Sequence, residues 1–139
     1  MRTRLLFLTA LALGAVAISA LASGNARRVV GNCRTSQVRP ASIVVACADD
    51  GIQLTKLHWS SFGGTTAAAS GTYYVNLCTP TCVAGRFASF PMRLTLANAA
   101  LCKDHYDDYR TARVHFSAGR PPRQKSATLA LSLSCPLPG

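Results

Sequence analysis

From residue 42 onward, hydrophobic and polar side chains alternate in short segments, with the period of two that is typical of half-buried β-strands. The alternation is clearest from Phe90 to Leu96 and recurs in Gly71–Cys78, Tyr109–Phe116 and Ala127–Cys135. No long amphipathic helix and no internal repeat interrupts it. The pattern predicts an all-β domain with little helix, either an antiparallel β-sandwich or a small barrel of about six to seven strands. The side chains predicted to face inward in two of these strands are Phe90, Met92, Leu94, Leu96, Ala112, Val114 and Phe116.

A β-hairpin is predicted where two such segments flank an Asp-Gly pair. Ser42–Ala48 carries hydrophobic side chains on both faces, which is typical of a central strand. The Asp-Gly turn at 49–51 joins it to a return strand, Ile52–Trp59. In this return strand the spacing of apolar residues changes from two to three, so we expect a β-bulge near Thr55 or Lys56.

Several other segments lack the alternation and are expected to be irregular. Residues 23–32 are predicted to be a mobile lead-in, and Ser60–Ser70 a loop or a weakly paired edge. Ala97–Asp108 is predicted to be one helical turn or an ordered loop, and Ala118–Lys125 a basic turn. Pro91 cannot donate to a β-ladder, so we expect its strand at an edge of the sheet, or Pro91 as an unpaired first residue.

The first residues have the three parts of a secretory signal peptide. Two arginines precede an apolar run from residue 5 to residue 17, and small residues follow as far as Ala22. We therefore expect residues 1–22 to be a signal peptide and 23–139 to be a single secreted β-domain, extracellular or associated with the cell wall. The alternative is that the apolar run is retained as a membrane anchor. After cleavage, no segment is expected to span a membrane.

Six cysteines, all in the predicted mature part, indicate a disulfide framework, because an exported chain meets an oxidising environment. Six cysteines allow fifteen connectivities. Nearness along the chain favours one of them, although either half of the shortest pair can instead reach one of the first two cysteines across a sheet. The favoured pairs are Cys33–Cys47, Cys78–Cys82 and Cys102–Cys135.

The charge balance is strongly positive. The chain has 15 Lys and Arg against five Asp and no Glu, and its formal net charge is +10. The predicted mature part keeps 13 of these basic residues and all five acids, 13 minus 5, or +8. The positive electrostatic potential of such a protein favours anionic partners, such as a phosphate-bearing cell-wall polymer or lipid head groups. Nucleic acid is not expected as a partner of an exported protein. The alternative is that the arginine-rich surface reflects the base composition of the gene together with solubility.

Residues 33–97 carry a distinctive combination of residues, which are Pro40, Ile43, Ala46–Asp49, Leu57–Trp59, Gly71, Val75–Asn76, Cys78–Cys82, Gly85 and Pro91. This combination resembles a family of small secreted actinobacterial proteins with the pattern P-x-x-I-x-x-A-C-A-D, then L-x-W, then V-N-x-C-x-P-x-C. Where the family has a second tryptophan, this chain has Phe62. The family is of unknown function, so the resemblance implies no catalytic residue.

The resemblance also bears on the cysteines. Cys102 and Cys135 lie outside the resembling region, which implies that they form an added bridge with each other. The remaining cysteines would then form a closed set of four, which are Cys33, Cys47, Cys78 and Cys82.

Residue types suitable for catalysis or metal binding are present, but no motif organises them. Ser60 or Ser61 near His58, with His105 or His115, supplies a nucleophile and a base without a G-x-S-x-G or H-E-x-x-H sequence. The aspartates of residues 104–108, with the pair at 49–50, offer oxygen ligands for calcium at spacings that match no EF-hand. We therefore predict a protein that is not an enzyme and that uses no cofactor or metal.

Aromatic and basic side chains provide the candidate binding residues. His58, Trp59, Phe62 and Tyr74 can line a face for a sugar or an apolar ligand, or else fill the core. Arginines can bind phosphate groups through two hydrogen bonds. We expect a domain that binds an anionic component of the cell envelope, with two alternatives: a protein-binding module such as an inhibitor presenting the Cys78–Cys82 loop, or a small hydrolase. The arginines concerned are Arg86, Arg93, Arg110, Arg113, Arg120 and Arg123.

Overall fold

Eight β-strands and no helix make up residues 28–137, the part of the chain that the computed structural model describes. The predicted signal peptide, residues 1–22, lies outside these residues. The strands form one sheet that curls into a half-barrel, which confirms the prediction of an all-β, disulfide-bridged domain. The strands are β1 (Arg28–Asn32), β2 (Thr35–Gln37), β3 (Ile43–Val44), β4 (Ile52–Ser61), β5 (Ala67–Asn76), β6 (Phe87–Leu101), β7 (Asp107–Phe116) and β8 (Thr128–Ser132).

Along the sheet the strands follow the order β2-β1-β7-β6-β5-β4-β3, and β8 also pairs with β7. The four long strands β4 to β7 form an antiparallel meander. β1 and β8 share one edge of β7. β1 runs parallel to the first two residues of β7, Asp107 and Asp108. β8 runs antiparallel to a later part of β7, from Thr111 to His115. One parallel pair is thus added to an otherwise antiparallel sheet.

The core is filled by side chains at alternate positions of the long strands. Leu54 from β4, Tyr73 from β5 and Val114 from β7 are all buried, and the Tyr73 ring meets the edge of Phe116 with centroids 5.3 Å apart. Burial of side chains of this size contributes about 1.5–3 kcal/mol each, so this cluster is the main source of stability. The inward-facing prediction for β6 and β7 is confirmed, because these residues are buried or packed against the core: Phe90, Met92, Leu94, Leu96, Ala112, Val114 and Phe116.

The predicted hairpin exists, but its first strand is short and not central. Only Ile43–Val44 of the predicted Ser42–Ala48 strand pairs with β4, and this strand lies at one end of the sheet. The chain leaves the ladder at the next two residues, Val45 and Ala46, whose N–H groups both donate to Ile52 O. Val45 lies in this turn, outside β3, and still packs against the core. Its partial burial in the turn explains why the predicted strand has apolar residues on both faces.

The predicted bulge in β4 is confirmed. Thr55 pairs with Thr72 and His58 pairs with Ser70, so two residues of β4 oppose Gly71 alone. Lys56 has a φ of 53°, in the left-handed region that β-bulges use.

Two segments predicted to be irregular contain strands. Residues 28–32 of the predicted lead-in form β1, in which Val29 and Val30 are buried beside β7. β5 begins inside the predicted 60–70 loop, where Ala67 and Ala69 are buried and pair with both neighbouring strands. The predictions are wrong for residues 28–32 and 67–70, because the burial of these residues depends on strands that lie far away in the sequence. Residues 62–66 form a loop as predicted, and residues 23–27 lie outside the described part of the chain.

The predicted irregular segment Ala97–Asp108 is also mostly strand. β6 continues to Leu101 and β7 begins at Asp107, so a turn of only five residues remains between them. This turn is closed by a hydrogen bond from Cys102 N to Tyr106 O at 3.0 Å.

The prediction for Pro91 is wrong. Pro91 lies inside β6, a strand that begins at Phe87 and has neighbours on both sides. It pairs with Thr72 on one side, and its carbonyl accepts a hydrogen bond from Ser117 N on the other. The ladder with β7 begins only at the next residue, Met92. The missing N–H therefore falls just beyond the end of the β7 ladder, where a proline is tolerated.

The three predicted disulfides are all present and are Cys33–Cys47, Cys78–Cys82 and Cys102–Cys135. The first links the end of β1 to the turn after β3, and the last links the β6–β7 turn to the segment after β8. The second closes a small ring in the β5–β6 loop. Residues 28–137 contain no helix that is long and apolar enough to cross a membrane.

Candidate functional site

Five side chains form one row across β4 to β8. The pairing register places His58 opposite Ser70, then Arg93, then His115, then Thr128. The first four are exposed, because the residues that flank them in each strand face the core. Neighbouring strands lie about 4.7–4.9 Å apart, so the row spans roughly 19 Å of the sheet surface.

A second row lies beside the first on the same surface. Arg113 is exposed there and stands diagonally across from Arg93 on the neighbouring strand. We call the two rows together the cationic face. In both rows β5 contributes only a small side chain, Ser70 or Ala68. The members of the second row are Ser61, Ala68, Thr95, Arg113 and Ala130.

The cationic face contains no carboxylate. The chain has only five acidic residues, and the structure describes all of them in other places. The charge of the face is therefore of one sign, carried by Arg93 and Arg113 with the imidazoles of His58 and His115 beside them. The acids lie in the β3–β4 turn (Asp49, Asp50), in the β6–β7 turn (Asp104) and at the start of β7 (Asp107, Asp108).

Arg110 does not belong to this face. It is half-buried, and its Nε donates a hydrogen bond to Leu133 O at 2.9 Å. Its Nη1 also contacts the sulfurs of Cys102 and Cys135. Arg110 thus ties β7 to the segment after β8, and we assign it a role in the fold.

The other predicted arginines lie in loops at one end of the sheet. Arg86 is exposed in the β5–β6 loop, and Arg120 and Arg123 are exposed in the β7–β8 loop. Arg120 Nε donates to Gln124 O at 2.9 Å, which stabilises the loop. This end of the sheet adjoins the first row, because the β7–β8 loop connects His115 to Thr128 along the chain.

The same two loops enclose a cleft of about 290 Å³, which we call the end cleft. Its lining includes Arg123, so the structure brings this arginine together with the Cys78–Cys82 loop. The sequence singled out these two features separately, and only the curl of the sheet shows that they are neighbours. One wall contains Val75, Leu77 and Cys78, and the other contains Pro121, Pro122 and Arg123.

The predicted aromatic residues divide between the interior and the surface. Trp59 and Phe62 pack against the core, with their rings edge to face at 4.8 Å, and Trp59 Nε1 donates to Pro40 O at 2.8 Å. Tyr74 instead stacks on Phe87 with centroids 4.7 Å apart, and Phe87 is 42% exposed. Of the four predicted residues, His58 alone lies on the cationic face.

A separate polar cluster joins Ser36 of β2 to two carboxylates, and we call it the carboxyl cluster. Ser36 Oγ lies 2.5 Å from Asp104 Oδ2 and 3.0 Å from Asp108 Oδ1. Asp108 is fully buried, and this burial raises its pKa, as does Asp104 nearby, while the Ser36 hydrogen bond and Arg110 lower it. A hydroxyl donates one proton. The Ser36 hydroxyl lies within donor distance of both carboxylates and can therefore donate to only one of them at a time.

The carboxyl cluster includes two of the five acids that the sequence offered as calcium ligands, Asp104 and Asp108. Cys102 Sγ also lies close to these carboxylate oxygens, but it is bonded to Cys135. The pair at 49–50 lies at the opposite end of the long strands, next to Asn76, whose N–H donates to Gly51 O. Two carboxylates and one hydroxyl are fewer than the six to eight oxygens that calcium takes, so we assign no metal to this cluster.

The residues considered for a hydrolase are spread over the sheet. His58 and His115 are three strand spacings apart, roughly 14 Å. His105 lies in the β6–β7 turn, and Ser60 Oγ donates to Ala68 O at 3.1 Å.

Sequence reasoning did not identify the row of the cationic face, the role of Ser36 or the end cleft. Each depends on which strands pair and in which register, and no local pattern contains that information. Comparison of the chain with protein-family models, with curated proteins and with solved structures finds no match.

Proposed function

We propose that this protein is a secreted, non-enzymatic binding domain that holds an anionic polymer of the cell envelope on its cationic face. The observation that carries the proposal is the row in which His58, Arg93 and His115 stand in register across four strands. Arg113 adds a second guanidinium in the next row. No carboxylate of residues 28–137 interrupts either row.

The geometry suits an extended ligand with repeated negative charges. His58 and Arg93 are two strand spacings apart, about 9.6 Å, with small Ser70 between them. A polymer that crosses the strands along the first row meets His58, Arg93 and His115 in succession. Guanidinium groups bind phosphate through paired, charge-assisted hydrogen bonds, so a phosphodiester polymer is the ligand class we favour.

The cysteines support an extracellular site of action. Three disulfides in a small domain fit an oxidising compartment. The predicted signal peptide and the resemblance to small secreted proteins point to the same place. A polyanion of the envelope is then a more accessible partner than nucleic acid.

The proposal is tested by retention of the mature protein on purified cell-wall material, with and without chemical removal of its phosphate polymers. We expect retention to fall on removal of the polymers and on raising NaCl from 50 to 500 mM, because exposed charges are screened. The double variant Arg93→Glu/Arg113→Glu should lose retention. The matched control is Arg34→Glu/Lys103→Glu, which makes the same charge change away from the face. Equal retention of both double variants would reject the proposal.

A second candidate function is a protein-binding module, such as an inhibitor, that uses the Cys78–Cys82 loop. Val83, next to this ring, is fully exposed, and Asn76 holds the loop through hydrogen bonds to Cys82 O and from Cys78 N. A loop fixed in this way loses little entropy on binding. The test is inhibition of a panel of extracellular proteases by the wild type and by Val83→Asp. Inhibition that the variant retains in full, or no inhibition of any protease, would reject this function.

A further inference from the structure

The end cleft has the form of a small preformed ligand site that is separate from the cationic face. It lies where the β5–β6 and β7–β8 loops face each other at one end of the sheet. Its volume of about 290 Å³ is at the lower limit of ordinary ligand pockets. A ligand of about ten non-hydrogen atoms fills such a space, since one liquid water occupies about 30 Å³.

Both walls are held in place without a ligand. On one side the disulfide closes residues 78–82 into a ring, and Asn76 bonds this ring at two backbone positions. On the other side Pro121 and Pro122 restrict the backbone, and Gln124 N donates to Pro121 O at 2.9 Å. A cleft with walls of this kind requires little ordering when a ligand enters, which favours binding.

The chemistry of the lining selects the ligand. Val75, Leu77 and the two prolines provide apolar surface, and Arg123 provides the one charged group of the lining. The nearest acidic turn, at 49–50, is not part of this lining, although it lies at the same end of the sheet. An apolar body is therefore matched by the walls, and an anionic head group is matched by the guanidinium.

We propose that the end cleft binds a small molecule with an apolar body of about eight carbons and a single carboxylate or phosphate head group. The body lies between Leu77 and the proline pair, and the head group lies against Arg123. This inference does not depend on polymer binding by the cationic face, because the two surfaces share no residue.

The test is a titration of the isotopically labelled mature protein with octanoate, octyl phosphate and octanol, followed by backbone amide NMR. We expect saturable shifts at Val75–Thr79 and at Arg123, with at least one of the two anions binding tenfold or more tightly than octanol. Arg123→Gln should abolish that preference for the anion. Arg86→Gln is the matched control, since Arg86 is exposed in the other loop of the cleft and lies outside the lining, and it should bind as the wild type does.

Two further variants keep the outcome decisive. Leu77→Trp should fill the cleft and remove binding of all three compounds, and the same spectra report whether the variant is folded. Arg93→Glu/Arg113→Glu should bind octanoate as the wild type does, so failure of polymer binding leaves this result intact. Equal affinity for octanol and for both anions, equal effects of the two single arginine variants, or shifts centred on the cationic face would overturn the proposal.

Discussion

The side-chain oxygen of Asn32 accepts a hydrogen bond from the backbone N–H of Val44 at 2.9 Å. The amide group of the same side chain donates to Ser42 O and to Gln37 Oε1. β1 and β2 lie at one end of the strand order and β3 lies at the other. One asparagine therefore joins the two ends of the curled sheet, next to the disulfide that begins at the following residue.

Replacement of Asn32 by alanine should open this junction. The loss of three hydrogen bonds, with Val44 N–H left unpaired, is expected to lower the free energy of unfolding by about 1–3 kcal/mol. Urea denaturation measures the loss, and hydrogen exchange at Val44 should become faster. Gln53→Ala is the control, since that side chain makes one bond, to Asp50 O at 3.3 Å. Equal losses in the two variants would show that Asn32 has no special role.

Gly71 is required where β5 passes the bulge of β4. A Cβ at this position would lie 2.7 Å from Thr55 O and 2.9 Å from Leu57 Cδ2. Gly71→Ala should therefore force the strands apart and reduce stability by roughly 1–3 kcal/mol. Gly64→Ala, whose added atom would be 3.4 Å from Thr66 O, should change stability little by comparison. Thermal unfolding of the two variants tests the difference, and a smaller loss for Gly71→Ala would contradict this explanation of the bulge.

Asp108 should make stability depend on pH. Burial raises its pKa in the folded protein, so the folded state binds this proton more tightly than the unfolded chain does. The stabilisation is fully present below the unfolded value of about 3.9 and is lost as the pH rises through the raised folded pKa. The charged or polar groups that act on Asp108 are Ser36, Asp104, Asp107 and Arg110.

Asp108→Asn removes this titration while keeping the shape of the side chain. The free energy of unfolding of the variant, relative to the wild type, should therefore rise from pH 4 towards neutral pH and then level off. Denaturation series at several pH values measure this relative stability. Asp50→Asn is the control, because Asp50 is exposed at the other end of the sheet. A difference that does not change with pH would show that the pKa of Asp108 is the same in the folded and unfolded states, and would contradict the prediction.

Substitution by glutamine should lower the stability of the protein at Arg110 and its retention on the cell wall at Arg113. Arg110→Gln removes charge-assisted contacts to Leu133 and should cost about 1.5–3 kcal/mol of stability, while wall retention of the folded protein is unchanged. Arg113→Gln changes an exposed residue, so its effect on stability should stay within about 0.5 kcal/mol while retention falls. Denaturation and retention assays on both variants provide the test. If Arg113→Gln lowers stability but leaves retention unchanged, Arg113 is not part of the binding surface.

Much of the fold could be predicted from local patterns. The alternation in Phe90–Leu96 and Tyr109–Phe116 identified the inward side of β6 and β7. The change of spacing after Leu54 located the bulge, because a bulge inserts one residue into a period of two. β1 was missed because its short apolar segment has no periodicity of its own, and Val29 and Val30 are buried only through β7.

The sequence by itself determined the all-β class, the alternation of the long strands and the excess of positive charge, since these are properties of neighbouring residues and of composition. It favoured the observed cysteine pairs by nearness along the chain but left other pairings open. The tertiary structure alone decided that His58, Arg93 and His115 share a row, whereas Arg110 turns to the Cys102–Cys135 bridge. Strand order and register depend on contacts between residues that lie far apart in the chain. For this reason, the same residue type can be a surface cation in one place and a structural tie in another.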